Sequence, residues 1–246
     1  GCGPDRPGGI PFLLHAIDPG PLSNKLLAAF PRKEYQLLLP HLNSEQLAQG
    51  EVLYEPGAEV DQVYFPLSGM ISILVTMQDG RAIETATVGR EGVVGAMSGF
   101  GLHTSKVRAV VQLPTFASKV SSKALRKAVS VSKPIANLCV EYNELLLGQA
   151  RVTAACNALH KIEKRFCRWL LQTRDRAESD TLLLTQEFLS EMLGVRRTSV
   201  TEVAMKVQAA GAISYSRGHI KIVDLRALKA MSCVCYETLR KETALS

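Results

Sequence analysis

Between residues 185 and 213 the apolar positions form two successive helical stripes. Phe188, Leu189, Met192 and Leu193 share one face of a short segment, and Val200, Val203, Ala204 and Val207 recur at three- and four-residue steps in the next. Thr185 stands where a hydroxyl caps the free amides of a first turn, with Gln186 and Glu187 behind it, and Gly194 offers the freedom for a sharp turn. The spacing therefore predicts a helix from Thr185, a turn at Gly194 and a second helix over 196–209. The polar face of that second helix carries Arg196, Arg197, Thr198, Ser199, Thr201, Glu202 and Lys206. Two helices and a glycine also describe an ordinary amphipathic pair. The next ten residues point further: from Ile213 to Ile222 apolar and polar residues alternate on both sides of Arg217-Gly218-His219, which predicts a hairpin. A hairpin directly behind the second helix makes a winged helix-turn-helix, whose polar groups can read base edges in a major groove. Arg217, His219 and Lys221 on the wing would meet backbone phosphates.

Upstream the period changes twice. Residues 21–48 read as one or two short helices, with Leu26, Leu27, Phe30, Leu37, Leu38, Leu39 and Leu42 as apolar positions broken by Pro31 and Pro40. From Glu51, Val52, Tyr54, Val63, Phe65, Met70, Ile71, Ile73 and Val75 fall in short runs separated by Pro56-Gly57, Ser68-Gly69 and Asp79-Gly80. This continues through 83–88 and 107–111 and predicts a compact antiparallel barrel or jelly roll. From about Lys133 a long helix is expected. Leu138, Tyr142, Leu145, Gln149, Val152, Cys156 and Leu159 alternate steps of four and three, the rhythm of a two-helix seam, with Gln149 available to fix register. These seven positions are the expected dimer interface.

Composition narrows the function class. At 246 residues, two compact units and a connector are expected. Residues 1–160 hold 14 basic and 13 acidic side chains, whereas 161–246 hold 15 and 10, so the basic excess travels with the helix-turn-helix, as attraction to phosphate requires. No apolar run is long enough to span a bilayer, which leads to the expectation of a cytoplasmic protein without a membrane partner. The first nine residues, rich in Gly and Pro, read as part of a flexible arm over 1–20. No nucleophile elbow, zinc-protease motif, phosphate loop or dinucleotide fingerprint occurs, and His15, His41, His103, His160 and His219 form no recognisable set, so an enzyme is not expected. Cys2, Cys139, Cys156, Cys167, Cys233 and Cys235 are too scattered for a disulfide framework. Cys233 and Cys235 have no second Cys pair or His beside them in sequence, so free thiols, no metal site and no cofactor are expected. Cys156, placed on the seam, could pair with its symmetry mate as a redox lock; the alternative is a small apolar core residue.

Roll, long helix and winged helix in this order resemble the cyclic-AMP receptor protein/fumarate-nitrate regulator family of bacterial transcription factors. The resemblance covers about residues 35–230 and is strongest at GEVLYEPG (50–57), YFPLSGMISI (64–73) and the helix-turn-helix with its wing. It implies an α+β chain: a flexible arm (1–20), an antiparallel β-roll sensor of the cyclic-nucleotide-binding type (21–132), a dimerisation helix (133–165) and a winged helix-turn-helix (166–246). It also implies a homodimer on a palindromic operator in double-stranded DNA, with RNA polymerase as partner. By position, Thr185 and Gln186 would touch phosphate, Arg196 and Arg197 would enter the groove, and Thr198, Thr201 and Glu202 would face bases. The effector pocket would involve Gly95, Ala96, Met97, His103, Thr104, Arg108 and Tyr142.

Two departures from the family pattern alter the expectation. Cyclic-nucleotide members hold ribose and phosphate with a Gly-Glu pair and an Arg-Ser pair, where this chain has Gly95-Ala96 and His103-Thr104. The groups that would satisfy a buried phosphate are missing, so cyclic nucleotide binding is not expected. His103 as a haem or metal ligand is the alternative reading of that loop, against an ordinary surface histidine. In the recognition helix Thr198 and Glu202 replace a Glu and an Arg four residues apart, so the operator should differ from the common family site. Against a regulator stands a small-molecule-binding or redox-sensing protein whose C-terminal domain mediates protein contacts, which the Arg196-Arg197 face disfavours.

Overall fold

The structure, a computed structural model, describes residues 18–216 and 218–242. The expected arm over 1–20 lies almost wholly outside these, as does Arg217. Two short helices open the described chain, α1 (Lys25–Ala29) and α2 (Arg32–Leu38), the first capped by Asn24, whose side chain accepts from Leu27 N. Seven strands come next: β1 (Asn43–Leu47), β2 (Val52–Tyr54), β3 (Gln62–Pro66), β4 (Met70–Thr76), β5 (Ala82–Val88), β6 (Arg108–Leu113) and β7 (Thr115–Ser121). They form two antiparallel sheets ordered β1-β7-β3 and β2-β6-β4-β5. Then come α3 (Ser122–Val131), α4 (Lys133–Leu159) and α5 (Ile162–Ala177), and the wing strand β8 (Thr181–Leu183). The chain closes with α6 (Gln186–Leu193), α7 (Arg197–Ala209), β9 (Ile213–Ser216), β10 (His219–Ile222), α8 (Leu225–Met231) and α9 (Cys235–Glu242). The α+β reading, with an N-terminal antiparallel sheet domain, long helices and a C-terminal helix-turn-helix, is what the structure contains.

Local pattern and observed element part company in several places. The helix expected over 133–165 ends at Leu159, where extended His160 breaks it, and neither α5 nor β8 is read from the pattern. Asn43–Leu47, which the pattern places in a helical stretch, is a strand, because it pairs residue for residue with β7 from Asn43 opposite Lys119 to Leu47 opposite Thr115. Pairing with a neighbour overrides a sequence too polar to show alternation. The pattern does not predict β7 and α3. Nor does it predict the helices α8 and α9 after the wing; Asp224 caps the first of them, accepting from the amides of Arg226 and Ala227.

The sheet β2-β6-β4-β5 is buried on both faces. Ile71, Val88 and Ala109 join Val63, Phe65 and Val120 of the facing sheet, with Leu26, Leu38, Ile135 and Tyr142 closing that core. From the other face Met70, Leu74, Val110 and Leu113 pack with Phe166, Trp169 and Leu170 of α5 and run on into the buried residues of the helix-turn-helix. Register shifts at Met70/Ile71 and Ile73/Leu74 accompany this double burial. The roll and the winged helix thus share one apolar core.

The long helix turns three positions of the expected dimer interface inward, which corrects the expectation for those three. Tyr142, Gln149 and Cys156 are all buried within the chain itself. The Gln149 amide accepts from Thr87 N at 2.8 Å and donates to Thr87 O at 3.2 Å, satisfying both backbone groups of one residue on the edge strand β5. Leu138 and Leu145 are partly buried against the roll, Val152 packs beside Cys156, and only Leu159 of the seven is widely exposed. A second stripe with the same four-three rhythm faces outward: Val140, Glu144, Leu147, Arg151, Ala154 and Ala158.

Candidate functional site

The helix-turn-helix is built as its sequence dictates. Thr185 Oγ1 accepts from Phe188 N at 3.2 Å and caps α6. Gly194 ends α6 with φ +63, and a side chain there would also meet Ile83 of β5, so the turn needs glycine for its backbone angle and for the close approach to the roll. Arg196 caps α7 rather than opening it. Val200, Val203, Ala204 and Val207 are buried as the period requires, which aims the opposite face at solvent.

On that face Arg196, Arg197, Thr198, Glu202 and Lys206 are exposed, while Ser199 and Thr201 are half-buried. None of Arg196, Arg197, Glu202 and Lys206 forms an ion pair among the described residues, so their charges are uncommitted. Thr201 Oγ1 donates back to Arg197 O at 3.1 Å. The wing sheet, ordered β8-β10-β9, sits against α7 through Tyr215 N, which donates to Gln208 Oε1 at 2.6 Å. Gln186 lies beside the Tyr215 side chain, Thr185 is exposed, and His219 is exposed opposite Ser216 and Leu183. The expected DNA-facing residues other than Arg217 therefore lie on α6, α7 and the wing of one domain.

A second site lies between the roll and α4. A cavity of about 410 Å³ is lined by Gly95, Ala96, Met97, Thr104 and Tyr142 from the expected pocket set, with apolar residues of β4, β5 and α4 around them. Gly95, at φ +87, starts the short 3-10 helix Ala96–Phe100. Among the described residues Lys106 is the one charged residue on the lining. Burial pushes the Cys139 thiol on the wall up to about 12. Two expected pocket residues are elsewhere. His103 Nδ1 is 2.8 Å from Arg126 on the outside of α3, and Arg108 reaches Glu191 of α6 at 3.0 Å and Glu55 at 3.3 Å. Arg108 is a strap between roll and helix-turn-helix, because β6 alternates and this position points to the outer face of its sheet.

Between roll and α5 lies a buried polar knot that sequence reasoning missed. Glu84 accepts from Ser72 Oγ at 2.6 Å and Trp169 Nε1 at 2.8 Å. Burial pushes its carboxyl up to about 7, against the pull of Ser72, Arg168, Trp169 and Arg176. Nearby, Arg176 and Glu91 pair at 3.0 Å, both largely buried.

Cys156, His160, Cys233 and Cys235 also meet, at the far end of α4, with their ligating atoms all within 4.8 Å of one another. The sequence places no His or further Cys beside Cys233 and Cys235, yet the fold brings one of each to them, and Cys156 has Cys233 as its thiol neighbour within its own chain. The neighbouring Cys233 thiol, and behind it Arg168, hold Cys156 well below the ordinary thiol range, whereas burial pushes Cys167 up to about 12. A Cys and a His four apart at a helix end, with a distant C-x-C, was the available signal.

Among the described residues no helix is long and apolar enough to cross a membrane. No curated protein sequence matches the chain. Solved structures share its fold. A crp/fnr-family regulator from Eubacterium rectale is 17% identical with a TM-score of 0.69, over 85% of this chain and 98% of its own. The c-di-GMP responsive global regulator CLP of Xanthomonas campestris is 19% identical at 0.66, over 79% and 100%. FixK2 of Bradyrhizobium japonicum is 17% identical at 0.67, over 78% and 98%. Two family models match in succession, the cyclic nucleotide-binding domain over 44–131 and the Crp-like helix-turn-helix domain over 164–231, together more than half of the chain. Sheet domain, long helix and DNA-binding winged helix in this order, with the two models matched in succession, make the chain a member of the cyclic-AMP receptor protein/fumarate-nitrate regulator family of transcriptional regulators.

Proposed function

We propose that this regulator acts without catalysis, as a homodimer that reads a palindromic operator with paired α7 helices and answers to a small, largely apolar effector in the roll cavity. The observation that carries the reading is the α7 face: a buried valine stripe holds Arg196, Arg197, Thr198, Glu202 and Lys206 outward with no ion pair among the described residues. Such a face suits base edges and phosphate, with Arg197 near the helix N-terminus as the candidate for a bidentate guanine contact. Thr185, Gln186, His219 and Arg217 would position the protein on the backbone.

The cavity favours an apolar molecule over a cyclic nucleotide, because among the described residues neither carboxylate nor guanidinium lines it and Lys106 alone would have to answer a buried phosphate. Leu147 both lines the cavity and stands 40% exposed on the outer face of α4. A molecule in the cavity can therefore shift the outer seam, and with it the spacing of the two recognition helices, by favouring one of two existing dimer arrangements. The decisive experiment is selection from a random duplex pool at stated salt. An enriched inverted repeat, its half-sites about one helical turn apart, is expected. Arg197→Ala should then cost roughly 1–3 kcal/mol and relax preference at one base pair per half-site. Recovery of unrelated sequences with equal affinity would refute the reading.

A further inference from the structure

We infer that Cys156, His160, Cys233 and Cys235 form a mononuclear binding site for a soft divalent metal ion of the zinc class, tying the C-terminal helix to the end of α4. The inference is independent of what the winged helix binds.

Geometry comes first. Cys156 and His160 are four residues apart, so they project from one face of the last turn of α4. Cys233 and Cys235 flank the start of α9, and the α8–α9 bend brings both thiols onto that face. Cys156 Sγ lies 3.5 Å from Cys233 Sγ, and Cys235 Sγ lies 3.6 Å from His160 Nδ1. A tetrahedral zinc site with metal–sulfur bonds of about 2.3 Å and metal–nitrogen bonds of about 2.0–2.1 Å has edges of roughly 3.5–3.8 Å. Both measured edges fall in or next to that range before any ion is placed, and all four donors lie within 4.8 Å of one another. A cubane iron–sulfur cluster spreads its four ligands over a larger tetrahedron than this span allows.

Charge points the same way. Arg165 and Arg168 on α5 are buried, at 9% and 4% exposure, and neither pairs with a carboxylate within 4.0 Å among the described residues. Arg165 donates to Leu193 O at 2.6 Å and Arg168 to Gln172 Oε1, both neutral partners, and Arg168 also acts on Glu84 through space. Their fields act on the thiol group. Two buried cations without a paired anion are costly. Three thiolates and a neutral imidazole around a dication carry one net negative charge, which offsets that excess. Each thiol releases its proton to solvent as the ion enters, and no electron is transferred. Of the four donors His160 alone is half-buried, and the three thiols are buried.

His160 caps α4, and Lys161 begins the step into α5, which carries the winged helix. An ion here fastens α9 across that joint, so its occupancy bears on how the DNA-binding domain is held. Purification of the full chain without chelator, followed by elemental analysis, should find stoichiometric zinc released by a thiol-modifying mercurial. Refilling the chelated protein with Co²⁺ should give intense thiolate-to-cobalt charge transfer and the visible bands of a tetrahedral site. Cys156→Ser and Cys233→Ser should each weaken Co²⁺ binding by more than the roughly 10–100-fold that loss of an outer-shell partner costs. His160→Asn should keep the charge transfer and shift the visible bands. Should those variants fail to fold, the unmodified chain still decides, since Zn²⁺ must protect these three thiols, and not Cys139 or Cys167, from alkylation. The proposal is overturned by an octahedral Co²⁺ spectrum, by alkylation indifferent to zinc, by a Cys156–Cys233 disulfide in metal-free native protein, or by a brown protein with acid-labile sulfide.

Discussion

Glu84 shows how much a single side chain can contribute when it is buried at a junction. Its carboxyl titrates near 7 inside the protein, whereas an exposed glutamate titrates near 4.5. The folded state therefore holds a proton that the unfolded chain loses between those values. Stability is highest below about 4.5 on this account and falls as pH rises through about 7, by up to a few kcal/mol. Ser72, Trp169, Arg168 and Arg176 face the group and moderate the fall. Glu84→Gln keeps an amide in the same place without a charge to lose. Urea midpoints at pH 5.5 and pH 8 should differ less in this variant than in the parent; an unchanged difference would assign the pH dependence elsewhere. Gly92 offers a second test. A Cβ there would collide with the Tyr142 ring, so Gly92→Ala should cost at least the roughly 1–3 kcal/mol typical of overpacking. Tyr142→Leu in the same chain should recover part of that loss, as a double-mutant cycle would measure.

Among the elements, α4 combines two jobs on opposite faces. Its inner stripe, with Tyr142 and Gln149, seals the roll, and its outer stripe, with Val140 and Leu147, is exposed and is the seam of the proposed dimer. Leu147→Glu should bring a charge onto both chains of a dimer and disfavour association by several kcal/mol while leaving the roll folded. Leu145→Glu should instead lower the melting temperature of each chain, since Leu145 packs on the roll core. Sedimentation and thermal melts together separate the two; a monomeric but unweakened Leu145→Glu would restore the inner stripe as the seam. For α6, Thr185→Ala removes the side-chain cap and should cost about 1 kcal/mol of stability.

At the scale of the whole molecule, one core runs from β4 and β6 through α5 into the helix-turn-helix. Arg108 to Glu191 and Gly194 against Ile83 add contacts across the same boundary. The only tryptophan, Trp169, lies in that boundary at 1% exposure. Its fluorescence and the far-ultraviolet circular dichroism should therefore report one coincident unfolding transition. Separate transitions would mean that roll and winged helix fold as independent units.

The sequence specifies the helix-turn-helix almost to the residue, because a buried stripe, a capping threonine and a turn glycine each act within a few positions of themselves. It determined that a roll precedes a long helix, because short apolar runs and glycine turns are also local. It determined the heptad rhythm of α4 but not which neighbour each stripe meets, since a period states that a face is buried and not what buries it. Contacts between distant segments make Gln149 bind Thr87, draw Arg108 out of the pocket to Glu191, and turn polar Asn43–Leu47 into a strand. The thiol and imidazole group at 156, 160, 233 and 235 depends on such contacts most completely. More than 70 residues separate its two halves, and no local pattern encodes the packing of α9 on α4 that closes the gap.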